Sequence, residues 1–211
     1  MINIYALTTL QLIFIIIACV VGALIVLLFI ALPIIKINHK KHFKKYYHKK
    51  IYKVALYNDY YLINNFVFKM DQKHDTFVDH ILFGDKFIFV IMDKYYDGNL
   101  VGNFADPDLV LISRNGSKSY VANPYVGFNR LLSRFSTETG IKTEYMIGVT
   151  VINNDCRVNI DTPSKQFFMI QRNKIAKFVK TVESRDVGVM NQDQLQEAVL
   201  AVNNLNLNKE K

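Results

Sequence analysis

The chain has 211 residues, 51% of them hydrophobic, with 26 basic and 18 acidic side chains and a formal net charge of +8. That length suits one globular domain with an appendage, and two cysteines, Cys19 and Cys156, are too few for a disulfide scaffold. The charge is not spread: residues 36–53 hold eight lysines, residues 1–53 hold no Asp or Glu, and the remainder is balanced, which excludes a uniformly basic nucleic-acid-binding domain.

From the N-terminus, Leu12 to Ile35 is an uncharged run dominated by Ile, Leu and Val. At about 1.5 Å per helical residue it is long enough to cross the ~30 Å hydrocarbon layer with some tilt. A cleaved signal peptide would show a basic start, a shorter run and a small-residue cleavage site. Residues 1–11 carry no charged side chain and Pro33-Ile34-Ile35 offers no such site, so residues 1–35 are expected to be a retained single-pass transmembrane anchor. Ala18 and Gly22 form a small-xxx-small pair compatible with self-association through the span. Seven lysines follow at once: Lys36, Lys40, Lys41, Lys44, Lys45, Lys49 and Lys50. They define a membrane-surface segment over 36–53 that attracts anionic lipid headgroups at about 1 kcal/mol per lysine. None precedes the span, so the positive-inside rule puts the N-terminus outside and the body of the protein in the cytoplasm.

Ile37–Tyr57 is compatible with a helix leaving the membrane. Leu62–Lys69 is expected as a strand, and Thr76–Phe83 and Lys86–Asp93 as a hairpin about a tight turn at Gly84-Asp85. Leu109–Ser113 and Ser119–Ala122 flank an Asn115-Gly116 turn. Pro124 opens a helix to about Thr137 with Val126, Leu131, Leu132 and Phe135 on its apolar face, stopped by Gly140. Tyr145–Ile152 and Arg157–Ile160 are expected strands, Asn173–Val182 and Gln192–Asn203 closing helices, and Leu205–Lys211 a frayed tail. The organisation is thus an anchor (1–35), a lysine-rich segment (36–53), a mixed α/β domain (54–190) and a C-terminal helix and tail (191–211).

No phosphate-cradling glycine loop, HExxH, paired Cys motif or GxSxG elbow is present. His39, His42 and His48 are juxtamembrane, and His74 and His80 lack a metal-ligand spacing; His80, beside Asp79, is expected as a hydrogen-bonded residue at the core edge. The hairpin carries what chemistry remains, with Asp79 on its first strand and Lys94 at the end of its second. Strand residues two apart share a face, so a metal-dependent nuclease hairpin wants a carboxylate at position 92, where Met92 stands. On a regular strand Asp93 points to the opposite face, and Asp75 is roughly 13 Å along the strand from Asp79. Taken alone, Asp79 and Lys94 predict an ion pair across adjacent strands.

Val78-Asp79-His80-Ile81, Phe87-Ile88-Phe89-Val90-Ile91, Lys94-Tyr95-Tyr96-Asp97-Gly98, Leu100-Val101-Gly102 and Asn123-Pro124 occur in this order. Their order and spacing, from about Lys50 to Val182, resemble the nuclease-related domain (NERD) family. The resemblance implies a restriction-endonuclease-like fold: a mixed sheet flanked by helices. It also implies residual catalytic positions at Asp79 and Lys94. In the family a Glu two residues before the Lys helps to hold a divalent ion that activates water and stabilises the phosphodiester under attack. Here Met92 offers a thioether, a poor ligand for Mg²⁺. The family's glutamate on the preceding helix has no counterpart in the acid-free 36–56, and Gly127 stands where a glutamine commonly follows the Asn-Pro step.

The expectation is a membrane-anchored, catalytically inactive module without a metal cofactor, bound to membrane lipids and to nucleic acid or a protein partner. Arg114, Lys118, Arg130 and Arg134 are the candidates for a nucleic-acid face, with solvated surface charge as the bland alternative. Two further readings stay open. One is a working Mg²⁺- or Mn²⁺-dependent nuclease using Asp79, Asp93 and Lys94; the other is a structural membrane scaffold.

Overall fold

The computed structural model describes residues 9–71, 74–161 and 164–208. The chain divides into two units, Met1–Phe43 and Lys44–Lys211. The first contains one helix, α1 (Thr9–Lys41), with Pro33 inside it. Its Gln11–Ile35 stretch is long and apolar enough to cross a membrane, and its apolar side chains are exposed along that length. The apolar run, read from the sequence as Leu12–Ile35, therefore lies within one continuous helix.

The second unit takes in helix α2 (Phe43–Asn58) from Lys44 onward and then β1 (Tyr61–Lys69), β2 (Asp75–Phe83), β3 (Ile88–Asp93), β4 (Gly98–Asn103), β5 (Asp108–Ser113) and β6 (Lys118–Ala122). Helix α3 (Pro124–Thr139), β7 (Met146–Ile152), β8 (Val158–Asp161), β9 (Phe167–Gln171), α4 (Ile175–Glu183) and α5 (Gln192–Leu205) complete it. The strands form two mixed sheets, one ordered β1-β2-β3-β7-β9 and the other β6-β5-β4-β8. In the larger sheet β1, β2 and β3 are antiparallel neighbours, while β7 and β9 join in parallel.

Alternation along the central strands splits their side chains between two covers. Ile88 and Val90 join Phe128, Leu131 and Phe135 of α3 and Val202 of α5 in one cluster. The intervening Phe89 meets Phe178 of α4 edge to face. On the same face His48 of α2 lies against His80, with ring centroids 5.5 Å apart. Helices α3 and α5 therefore cover one face, and α2 and α4 the other. The smaller sheet closes on its own cluster of Tyr96, Leu100, Leu109, Ile152 and Cys156.

Helix α3 begins and ends where its cap residues dictate. Asn123 accepts a hydrogen bond from the Tyr125 amide at 3.1 Å, Pro124 occupies the first turn, and Gly140 closes the helix in the left-handed region at φ 71°. The Asn123 amide group also donates to the carbonyls of Asn103, Phe104 and Asp106. The Asn-Pro step thus ties the end of β4 to the start of α3.

The C-terminal third departs from the sequence reading in two places. The segment before α4 forms strand β9, which had not been expected, because Phe167 and Phe168 each find a cover on opposite faces of the sheet. The expected frayed tail is docked as far as it is described. Leu207 donates to the Val67 carbonyl at 2.9 Å, and Val67 donates to the Asn206 side chain at 3.1 Å. These contacts cover the otherwise open edge of β1; residues 209–211 lie outside the described residues.

The β2–β3 turn is clasped by α4. The Glu183 carboxylate accepts from the amides of Lys86 and Phe87 at 2.9 and 3.3 Å, and Lys86 Nζ donates to the Arg185 carbonyl. Gly84 permits this approach, since a Cβ there would lie 2.1 Å from Glu183 Oε1. Burial pushes the Glu183 carboxyl from 4.5 up to about 7, against the pull of the two amides. A carboxyl raised on folding contributes stability fully below its unfolded pKa and loses it as pH rises through the folded one. Stability is therefore expected to fall between about pH 4.5 and pH 7. Melting curves across that window should drop by a few degrees, on the order set by the enthalpy of a domain of this size. Glu183→Gln should flatten the drop; an unchanged slope in that variant would remove Glu183 as its cause.

Candidate functional site

The central hairpin does not alternate throughout. In β2, Val78, Ile81 and Phe83 all enter the α3-side cluster, and in β1 Phe66 and Phe68 do so together with Ile63. One extra residue intervenes in each strand between the two phases. The break lies opposite itself across the register, at Asn64–Phe66 and Val78–His80. Asn65 takes it up with φ 53°, a left-handed conformation that asparagine tolerates better than most residues. As a consequence Asp79 and His80, though consecutive, both make their side-chain bonds on the α2 side.

A buried polar network fills that break. Asp79 Oδ2 accepts from the Asp93 amide at 2.8 Å, and Asp79 Oδ1 accepts from Lys44 Nζ of α2 at 2.8 Å. Lys44 also lies 4.9 Å from the centre of the Phe77 ring. His80 bridges Asn64 Oδ1, at 2.7 Å from Nδ1, and Asp93 Oδ2, at 3.1 Å from Nε2. With the Asn64 oxygen facing it, Nδ1 is the donor of that bond. The His80 and Asp93 side chains are only 4% and 1% exposed. Asp93 Oδ1 is buried without a hydrogen-bond partner. Burial raises the Asp93 carboxyl above its usual range, the His80 bond pulls it back, and neighbouring Asp79 adds to the rise.

The expected Asp79–Lys94 ion pair is replaced by Asp79–Lys44. Lys94 lies just beyond β3 and is exposed, with its amide on the Val151 carbonyl and its own carbonyl facing the Tyr47 hydroxyl. Lys44 was read from the sequence only as a membrane-surface lysine, since nothing local marks a lysine that reaches a residue 35 positions away. The Asn64-Asn65 pair inside an apolar strand was the available sign of the break. The other lysines of that segment, Lys40, Lys41, Lys45, Lys49 and Lys50, remain at or near the surface; the Lys36 side chain lies outside the described residues.

The four candidates for a nucleic-acid face fall into two pairs. Arg130 and Arg134 line one groove on α3, and Arg114 and Lys118 flank the β5–β6 turn. Arg114 pairs with Asp155 and Asp97, Arg130 with Asp71, and Arg134 with Glu138. Three of the four charges are thereby met by carboxylates.

A family model for the nuclease-related domain matches residues 38–153, more than half of the chain. The protein belongs to the nuclease-related domain (NERD) family. Searches of curated proteins and of solved structures gave no match.

Several NERD motif positions acquire structural tasks here: Asp79 and His80 in the buried network, Asn123-Pro124 at the α3 cap, and Gly98 at the start of β4. Met92 and Gly127 line the same cavity of about 350 Å³ with Thr76, Leu131 and Arg130. Met92 packs against the α3-side cluster, while Asp79 bonds on the α2 side. As arranged, the donors around Asp79 do not fit a divalent ion. Both its oxygens are engaged, one by an ammonium group, and the Asp93 carboxylate is turned to His80. No group of three or more His, Cys, Asp or Glu side chains among the described residues is placed to hold a metal.

Proposed function

We propose that this NERD protein is a membrane-anchored module on the cytoplasmic side whose nuclease site has been given up and whose task is binding. The observation that carries this reading is the Lys44 ammonium on Asp79: a resident cation sits where a carboxylate would otherwise help to hold a metal. A thioether at Met92 and a bare Gly127 in one cavity support it further. The restriction-endonuclease-like fold is supported by a mixed sheet covered by helices on both faces. The apolar α1 and the lysines that follow it support a span with the N-terminus outside and lipid contact within. Ala18 and Gly22 on α1 offer a surface for self-association. Between nucleic acid and a protein as partner, the paired arginines and the balanced charge beyond residue 53 favour a protein.

One observation favours a rearranged nuclease: the Asp93 amide on Asp79 brings a second acid close. Its carboxylate, however, is sealed against His80. The two readings separate in a cleavage assay on the full chain in anionic nanodiscs. Single- and double-stranded DNA and RNA would be incubated with Mg²⁺ or Mn²⁺, beside Asp79→Ala. The expected outcome is the same background for both proteins. Cleavage that disappears in Asp79→Ala would establish the nuclease instead.

A further inference from the structure

Helix α2 buries Tyr47, Ile51, Val54 and Ala55 against the sheet, leaving the opposite face outward at 100° per residue. That outward face carries Lys45, Lys49 and Lys53, all exposed, interleaved with Tyr52, Leu56 and Tyr57. Leu56 is 63% and Tyr57 79% exposed. No acidic residue occurs anywhere in the helix. An ordinary solvated helix mixes the signs of its charges and does not hold large apolar groups among lysines of one sign. Lysine stems with tyrosine and leucine between them are the composition of a face lying in a headgroup layer.

We propose that the outward face of α2 lies flat on an anionic bilayer surface. Lys45, Lys49 and Lys53 would then meet lipid phosphates, with Tyr52, Leu56 and Tyr57 seated among the headgroups. Charge complementarity argues for this occupant, and so does position: a single residue, His42, separates the end of α1 from the start of α2. A second copy of the chain would present the same lysines and be repelled. Nucleic acid would engage the lysines but leave Leu56 without a use. The inference rests on the reading of α1 as a membrane span and adds to it which face of α2 meets the lipid.

The chain contains no tryptophan, so one introduced indole reports alone. The full chain would be reconstituted as Leu56→Trp and, separately, as Tyr57→Trp, with Tyr120→Trp as a control at an exposed position on β6. Vesicles would be of phosphatidylcholine alone or with about a third phosphatidylglycerol, with and without brominated acyl chains. In the anionic vesicles, the Leu56→Trp and Tyr57→Trp emissions should shift to the blue and be quenched at least twofold by bromine. The Tyr120→Trp emission should do neither, and quenching at α2 should weaken without phosphatidylglycerol. Quenching no greater than at position 120, or equal in both lipids, overturns the proposal, as does a shift that requires added nucleic acid. Flotation with the vesicles after an alkaline wash reports the span itself. A chain that floats with an unquenched α2 label sinks this inference alone; a chain that does not float sinks both.

Discussion

Asp93→Ala is expected to cost the second unit about 1–3 kcal/mol, the range for leaving a buried hydrogen-bonding group without its partner. The change would leave His80 Nε2 without its partner in a site where both side chains are almost fully shielded from water. His80→Ala should cost a similar amount by stranding the Asp93 carboxyl, one of whose oxygens already lacks a partner. Replacing both with leucine should recover most of the loss, because a buried pair spends much of its attraction on desolvation and an apolar pair does not. Urea unfolding of the full chain in detergent would measure all four proteins. A loss below ~0.5 kcal/mol for Asp93→Ala, within the range of ordinary surface substitutions, would mean that the network is not held together as described. Because burial raises the Asp93 carboxyl, its own contribution has the same sign as that of Glu183: greatest in acid and declining as pH rises.

Gly98→Ala is the other single change expected to be strongly destabilising. A Cβ at this position would lie 2.3 Å from the Ile112 carbonyl oxygen and 2.9 Å from Ser113 Cα. Those atoms belong to the backbone of β5, which pairs with β4 from Gly98↔Ser113 onward. No side chain can move aside, so the strands themselves must part. Overpacking of this kind costs about 1–3 kcal/mol, occasionally more. The damage should be local. Amide exchange should quicken in β4, β5 and β8 and stay slow in β2 and β3, which belong to the other sheet. Uniform acceleration across both sheets, or none, would count against the assignment of this glycine to close backbone approach.

The parts of the fold that the sequence disclosed are those with local causes. Helix α3 was legible because Asn123-Pro124 and Gly140 mark its two ends chemically. The β2–β3 and β5–β6 hairpins were legible because apolar runs flank Gly84-Asp85 and Asn115-Gly116. What stayed hidden depends on distant partners. Strand β9 is a short apolar run whose strand character comes from pairing with β7. Residues 206–208 look like a polar tail until Val67 is opposite them.

The candidate site shows the same division. His80 was expected to be hydrogen-bonded at the core edge, and it is, through Asn64 and Asp93. Strict alternation put Asp93 out of reach of Asp79, and it failed because Asn65 breaks the phase of the hairpin. The Asp93 main chain is what reaches Asp79; its carboxylate turns to His80. Lys44 entered the site from another element, where sequence offered only a charge among other lysines.

Manganese binding to the purified full chain, followed by the loss of the free-ion signal in electron paramagnetic resonance, bears most directly on whether Asp79 still serves a metal. With Lys44 on its carboxylate and a sulfur at position 92, the wild-type protein should bind no more Mn²⁺ than Asp79→Ala does. One tightly held ion per chain, released by that substitution, would contradict this.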